Sequence, residues 1–279
     1  MSVAFLLGAI AIALAAGLFG SLLGLGGGLF VVPLLTGLLG VPTKYAIGAS
    51  IVAVIATSST GGSAYLRQRT ANVRLGMTLE LATVCGAILG ALTGTAISPR
   101  LLNLVFGLVL LYTGFTMARG RRGGETAPAP APSGDPGALD FSYYDTQRRA
   151  DVAYRVHGLP KGLGVGLVAG YVSGLLGVGG GLFKVPAMTL LMGVPLKVAT
   201  ATSTFMIGVT ATAGAYIQYT HGFVDPILTA PVVAGVIGGA LLGPRVARRL
   251  PTASLRRIFV VVLLIFALDM LGKAALGTA

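Results

Sequence analysis

The sequence predicts an all-α polytopic membrane protein made of two inverted-topology repeats, each with about four long helices plus a short helix after a glycine break. Three observations predict this class. The 279 residues are 54% hydrophobic and only 10% charged, whereas a soluble domain carries about 25% charged residues. Apolar runs long enough to cross a bilayer recur along the chain. A glycine-rich apolar segment also occurs twice, at an offset of 153 residues.

The repeated segment covers Gly17–Ser50 and Gly170–Ser203, and 19 of its positions are identical. We therefore expect a first transmembrane repeat over residues 1–118, a flexible linker over 119–160 and a second transmembrane repeat over 161–279. Helices are predicted at about 3–23, 28–40, 45–66, 76–97 and 101–118, and again at 162–177, 181–193, 198–219, 226–244 and 255–272.

The first apolar run is interpreted as a retained helix rather than a signal peptide. It has no basic stretch before it, and the second copy keeps its counterpart inside the chain. The linker opens with a Pro-, Ala- and Gly-rich stretch that is too polar to bury a core of its own. Its later part, FSYYDTQRRADVAYRVHG, mixes aromatic and charged residues. That part lies either at the membrane interface or in a plain loop.

Each copy contains a short apolar segment of about a dozen residues after a triple glycine, Gly26–Gly28 or Gly179–Gly181. At about 1.5 Å per residue such a helix cannot cross a hydrocarbon core of roughly 30 Å. Glycine runs also permit unusual backbone angles. The pattern therefore predicts a broken helix or hairpin inside the membrane in each copy.

The basic residues predict how the two copies are oriented. The net charge of +12 does not indicate nucleic-acid binding, because the Lys and Arg residues lie between apolar runs, as in cytoplasmic loops. If each broken segment is one crossing, eight basic residues face one side and eleven the other. If each is a hairpin, the division is sixteen against three. The second division predicts inverted repeats, a cytoplasmic linker and both termini outside.

Helix starts after the glycine breaks present free N–H groups and a positive dipole end, which suits a small anion. The alternative is that the glycines only allow close helix packing, which we assign to Gly86, Gly90, Gly94, Gly235, Gly239 and Gly243. Serine hydroxyls near the breaks either donate to the anion or to helix carbonyls. The predicted substrate-binding residues are Gly26, Gly27, Gly28, Leu29, Ser50, Gly179, Gly180, Gly181, Leu182, Lys184 and Ser203.

One lysine and two acidic residues lie inside predicted spans. Lys184, which replaces Val31 of the first copy, either supplies a positive charge for the anion or extends to an interface. Glu80 and Asp269 are candidates to carry a coupling proton, although both lie near helix ends. One cysteine, Cys85, and two histidines provide no metal site, no cofactor site and no catalytic constellation, so we do not expect an enzyme.

The motifs GLGGG-LF-VP-L and GVGGG-LF-VP-M, each followed by GVP and a lysine (Lys44 or Lys197), resemble the sulfite exporter TauE/SafE family, also called the toluene sulfonate uptake permease family. The resemblance covers residues 5–118 and 160–272. It implies a carrier in a bacterial-type plasma membrane that moves small sulfur-containing anions, such as sulfite, sulfonates or sulfoacetate. The inverted repeats in turn predict alternating access. The partners expected are the anionic substrate and lipid, with a homo-oligomer compatible. The alternatives are an anion channel and a non-transporting membrane scaffold or sensor.

Overall fold

A computed structural model of the chain describes residues 3–23, 27–119, 137, 139–145, 150–247 and 252–276. Within these ranges it contains ten helices and one β-hairpin, which confirms the predicted helical class. The elements are α1 (Val3–Leu23), α2 (Gly28–Leu38), α3 (Thr43–Arg67), α4 (Val73–Ala96), α5 (Pro99–Arg119), β1 (Phe141–Asp145), β2 (Ala150–Tyr154), α6 (Leu159–Leu176), α7 (Gly181–Leu190), α8 (Leu196–Thr220), α9 (Pro226–Ala247) and α10 (Thr252–Leu276).

Several helices have the length and composition of membrane spans. Among the described residues, four are long and apolar enough to cross a bilayer: Thr43–Arg67, Val73–Ala96, Pro99–Thr116 and Leu159–Leu176. The two short helices follow the glycine breaks as predicted, with 11 residues in α2 and 10 in α7. Each repeat therefore has four long helices and one short helix.

The short helices end in the same way in both copies. The glycine of each GVP sequence has a positive φ, 63° at Gly40 and 71° at Gly193, a conformation that glycine adopts without steric cost. The following valine then donates its N–H back to the helix, from Val41 to Leu35 at 3.1 Å and from Val194 to Met188 at 2.9 Å. The repeated GVP is therefore a helix stop that turns the chain into the next long helix.

Helices of one half pack mainly on helices of the other. The contacts α1–α9 and α3–α9 in one place correspond to α6–α4 and α8–α4 in another, while α3–α8 and α5–α10 pair equivalent helices. Equivalent helices of the two copies, related by the 153-residue offset, therefore make equivalent contacts. The two copies form one body around a shared interior, which includes a large buried cluster with members from both halves.

Direction of packing follows from the residues that face each other. Ser58 of α3 donates its hydroxyl to the Thr204 carbonyl of α8 at 2.5 Å, whereas Ile51 lies beside Gly214 further along α8. These two helices are therefore antiparallel. On the same test α5 and α10 are antiparallel, because Gly107 faces Leu271 and Gly114 faces Leu264.

The α1–α9 and α4–α6 crossings are parallel and depend on glycine. A Cβ at Gly86 or Gly90 of α4, or at Gly235 or Gly239 of α9, would overlap a backbone carbonyl oxygen of the facing helix. Only a hydrogen at Cα allows the two backbones to approach this closely. The packing role predicted for these four glycines is confirmed. A Cβ at Gly94 would lie 3.1 Å from the carbonyl oxygen of Leu175, so this glycine also allows close packing. The surroundings of Gly243 lie outside the described part of the structure.

The described part of the linker includes an antiparallel hairpin that pairs Phe141 with Tyr154 and Asp145 with Ala150. Tyr143 and Tyr154 are buried in a cluster with residues of α4, α7 and α8. Asn72, the N-cap residue of α4, donates from Nδ2 to the Tyr154 hydroxyl at 3.0 Å. Neither alternative for this segment, membrane interface or plain loop, anticipated a hairpin docked on the helices.

Asp140 fixes the base of the hairpin. Its carboxylate accepts from the N–H groups of Gly137 at 2.8 Å and Val156 at 3.0 Å, and the Nε of Arg155 lies 3.5 Å away. Burial opposes the charged form, but the two N–H donors and Arg155 outweigh it and lower the pKa of Asp140. The carboxylate therefore stays charged and links the two ends of the hairpin.

Candidate functional site

The first glycine break places the start of α2 in the protein interior. Gly27 precedes the helix with φ 76°, and Gly28 and Leu29 form its buried first turn. Helix geometry leaves the first N–H groups of α2 without an acceptor inside the helix. Gly26, also predicted to bind substrate, lies outside the described residues.

The second break repeats this arrangement at α7. Gly177, Gly179 and Gly180 all have positive φ, at 68°, 85° and 68°, so the three residues reverse the chain between α6 and α7. The helix then starts at Gly181, which is buried, while Leu182 is half-buried. Two helix starts with free N–H groups therefore lie inside the protein, one from each copy.

Ser50 joins the two breaks. Its hydroxyl lies 3.2 Å from the Gly28 carbonyl oxygen and 2.9 Å from the Gly177 carbonyl oxygen, and it donates its proton to these carbonyls. A Cβ on Gly28 would lie only 2.6 Å from the same Gly177 oxygen. The two breaks, distant in sequence, are therefore in direct contact, and the Ser50 proton is engaged in holding them together.

Ser203 is the counterpart of Ser50 but has different contacts. It is fully buried, and its hydroxyl finds no hydrogen-bond partner among the residues that the structure describes. The counterpart of Gly177 in the first copy is Gly24, which lies outside those residues. Within the described part of the chain, the Ser203 hydroxyl keeps a proton to donate.

Lys184 lies in the first turn of α7 and is buried, with 3% of its surface exposed. Its Nζ donates to the Thr210 hydroxyl of α8 at 2.7 Å and lies 3.6 Å from the Oε2 atom of Glu80 on α4. Thr210 in turn donates to Glu80 Oε1. The structure therefore places two predicted site residues, Glu80 and Lys184, next to each other and adds Thr210, which is not among the predicted site residues. We call these three residues the charged cluster.

No sequence signal could have joined these three residues. Glu80, Lys184 and Thr210 come from three different helices of both halves, and their contact depends on α4 crossing to α6 and α8. Spacing along the chain reports neighbours on one helix, not the pairing of helices. The sequence indicated only that a lysine inside a membrane segment needs a partner for its charge.

The family comparison agrees with this architecture. The family described as Sulfite exporter TauE/SafE matches the chain over residues 9–270, which includes both glycine breaks and all three residues of the charged cluster. The chain belongs to the TauE/SafE family.

Relatives of this TauE/SafE protein carry transporter names. It is 27% identical over 269 residues to the probable membrane transporter protein YunE of Bacillus subtilis, covering 94% of this chain and 96% of that protein. It is 28% identical over 256 residues to a probable membrane transporter protein of Xylella fastidiosa, covering 91% and 90%. The probable membrane transporter protein MJ0441 of Methanocaldococcus jannaschii is 24% identical over 270 residues, covering 91% of each. No solved structure matches the chain.

These matches establish the general class of this TauE/SafE protein. It is a multi-pass membrane transport protein rather than an enzyme, as the sequence predicted. Among the described residues no group of three or more His, Cys, Asp or Glu side chains is placed to hold a metal ion.

Asp269, the other predicted coupling acid of this TauE/SafE chain, is remote from the charged cluster. It lies on α10 beside Gly37, with 38% of its side chain exposed, and pairs with Lys273 one helical turn away at 2.9 Å. A half-buried ion pair between residues one turn apart on a helix is ordinary. The structure therefore separates the two predicted acids.

A groove of about 620 Å³ lies between α3 and α8, next to α4. Its hydroxyl groups are already engaged as donors. Ser59 and Ser63 donate to the carbonyls of Ile55 and Thr60, and Thr212 donates to Gly208. Such hydroxyls offer only acceptor lone pairs to a ligand, so the groove is poorly suited to an anion.

Proposed function

We propose that this protein is a secondary transporter that moves small sulfur-containing anions, of the sulfite, sulfonate or sulfoacetate type, by alternating access in a bacterial plasma membrane. The observation that carries the proposal is the contact of the two glycine breaks through Ser50, which brings two buried helix starts close together. The family description names sulfite export, which supports the substrate class.

The anion site consists mainly of backbone donors. The N–H groups of Gly28 and Leu29 at α2, and of Gly181 and Leu182 at α7, bind the anion oxygens, aided by the positive dipole ends of both helices. Gly26, Gly27, Gly179 and Gly180 supply the backbone angles that aim these groups. Because α2 and α7 span only about 16 Å each at 1.5 Å per residue, each helix starts well inside the membrane when its other end lies at a membrane surface.

Side chains complete the site. Ser203 donates its hydroxyl to the anion, since its proton has no acceptor among the described residues. Lys184, on the first turn of α7, provides the positive charge. Ser50 holds the two breaks together in the contact seen here and exchanges its carbonyl acceptors when the halves move. Rocking of the two copies about the breaks exposes the site to one side and then the other.

The two copies are inverted with respect to the membrane. Antiparallel packing of the equivalent helices α3 and α8, and of α5 and α10, supports this orientation, as does the sixteen-to-three division of basic residues. The linker, with its hairpin, is then cytoplasmic and both termini are outside.

A matched pair of exposed positions tests the orientation. Gln68 follows α3, and His221, its equivalent at the 153-residue offset, follows α8. In a Cys85→Ala background, Gln68→Cys should resist a membrane-impermeant thiol reagent added to intact cells, whereas His221→Cys should react. Lysed cells, in which both should react, provide the control. Labelling of both cysteines from the same side would contradict inverted repeats.

Flux measurements test the substrate class. Purified protein in proteoliposomes should take up sulfite, sulfoacetate or thiosulfate with saturable kinetics and against a gradient, and should discriminate against acetate. Sulfate and taurine test whether a tetrahedral oxyanion or a zwitterion suffices. Transport of acetate without any sulfur-containing anion would refute the substrate class. Large single-channel currents would instead indicate an anion channel, and binding without flux a scaffold or sensor.

A further inference from the structure

The Glu80–Thr210–Lys184 cluster is an incompletely satisfied charged site inside the protein. Glu80 and Lys184 are 4% and 3% exposed. The lysine ammonium carries three donors, and it lies 3.6 Å from Glu80 Oε2, beyond a direct hydrogen bond. That oxygen has no hydrogen-bond partner among the described residues. A buried carboxylate oxygen left in this state has a free position for a proton.

The other repeat shows that the fold does not require these charges. At the 153-residue offset, Lys184 corresponds to Val31, Glu80 to Val233 and Thr210 to Thr57. Val31 is 1% exposed, and Thr57 donates to carbonyls of its own helix, within hydrogen-bond distance of Ala53 and Val54. The equivalent site, formed by Val31, Val233 and Thr57, therefore lacks both charges.

Stability offers little reason to keep such a pair. Well-packed apolar residues in place of a buried ion pair are often as stable or more so, because desolvation of the two charges offsets their attraction. Ionisable residues within a membrane, by contrast, mark pathways for substrates and protons. The asymmetry between the repeats therefore points to a function for the pair.

Lys184 is the charged group that faces Glu80 among the described residues. The remaining titratable groups on the elements packed around the pair are exposed or half-buried, lie at helix ends, or belong to the hairpin. They are Arg74 and Cys85 of α4, Lys161 and Tyr171 of α6, Lys197, Tyr216 and Tyr219 of α8, and Tyr143 and Tyr154. A change of charge on Glu80 therefore acts first on Lys184.

We propose that Glu80 is an internal counter-anion that occupies Lys184 in the empty transporter, and that one proton taken up by Glu80 releases Lys184 to bind one transported monoanion. This inference rests on the proposed transport function. Before binding, the lysine ammonium and the glutamate carboxylate balance each other. After binding, the ammonium and the anion balance each other, and Glu80 is a neutral acid.

The exchange keeps the site neutral in both the empty and the loaded state. The proton and the monoanion enter together and leave together, so no net charge crosses the membrane in a cycle. This matters energetically because moving one elementary charge through a potential of 100 mV involves about 2.3 kcal/mol. Uptake should therefore follow a pH gradient and ignore the membrane potential.

Proteoliposomes with radiolabelled sulfite at a pH that favours the monoanion provide the test. In the wild type, an acid-outside gradient should accelerate uptake several-fold, and a potential set by potassium and valinomycin should change nothing. Glu80→Gln, which keeps the shape but cannot take up the proton, should lose the acceleration while still exchanging sulfite across the membrane. Asp269→Asn should retain it. Uptake by Glu80→Gln that still follows the pH gradient would overturn the proposal.

A second readout does not depend on flux. Addition of sulfite to purified wild-type protein at neutral pH should produce the infrared C=O band of a protonated carboxyl group, and Glu80→Gln should lack that band.

Valine at both positions, in the double variant E80V/K184V, reproduces the apolar residues of the first repeat. This variant should fold but bind sulfite at least tenfold more weakly. Wild-type affinity in this double variant would show the pair to be structural only. If wild type itself neither binds nor transports any sulfur-containing anion, the proposed function fails instead.

Discussion

Lys184→Met should destabilise the protein far more than the double replacement E80V/K184V. The single change removes the cation and leaves the Glu80 carboxylate buried, 4% exposed, with Thr210 as its one donor among the described residues. Loss of one partner of a buried ion pair costs about 3–5 kcal/mol, whereas apolar replacement of both is often neutral. Glu80→Gln should be destabilising for the converse reason, because it leaves the Lys184 ammonium without a counter-charge.

Thermal unfolding in detergent of wild type, Lys184→Met, Glu80→Gln and the matched double variant E80Q/K184M measures this coupling, with E80V/K184V as the fully apolar comparison. The matched double variant should be more stable than either single variant, and its loss of stability should fall short of the sum of the two single losses by at least the roughly 3 kcal/mol at the upper end of coupling between contacting residues. Val31→Met, at the apolar equivalent of Lys184, is the matched control and should have a modest effect. Additive effects of the two single changes would mean that Glu80 and Lys184 do not interact in the folded protein.

Local features of this fold could be predicted from the sequence, whereas contacts between distant helices could not. The short helices α2 and α7 were predicted because three glycines precede them and a GVP ends them, and both signals act on the residues beside them. The crossing of α4 on α6 depends on which glycine stripes meet, and several stripes of small residues are equally suitable by spacing. Hence Glu80 and Lys184 were each found, but not their contact.

The hairpin Phe141–Tyr154 was missed for a related reason. Its strands do alternate, with one aromatic and apolar face packed on the helices, but each has only five residues and they follow a stretch rich in Pro, Ala and Gly that predicts a loop. They are stabilised by tertiary contacts through Tyr143, Tyr154 and the side chain of Asn72.

The partner of Ser50 could not be predicted from the sequence either. Its residue type allowed either a ligand or a carbonyl partner, and only the approach of Gly177 decides that it has a carbonyl partner in this structure.

Gly170→Ala should disrupt the crossing of α4 and α6. A Cβ at Gly170 would overlap the Thr83 carbonyl oxygen and lie 2.8 Å from its carbonyl carbon and 2.9 Å from its Cα. These are backbone atoms of a helix, so relief requires the two helices to separate. Overpacking of this kind costs about 1–3 kcal/mol or more, which exceeds the gain of roughly 1 kcal/mol from alanine in a helix.

Gly164→Ala on the same helix is the matched control, since a Cβ there meets nothing within 4 Å. It should leave the apparent Tm unchanged or raise it slightly, while Gly170→Ala should lower the Tm and the yield of monodisperse protein. Because Thr83 lies one turn after Glu80, separation of the helices also moves Glu80 away from Lys184. Gly170→Ala should therefore weaken sulfite binding in the protein that still folds, and wild-type stability with normal binding would contradict a backbone-to-backbone crossing at this position.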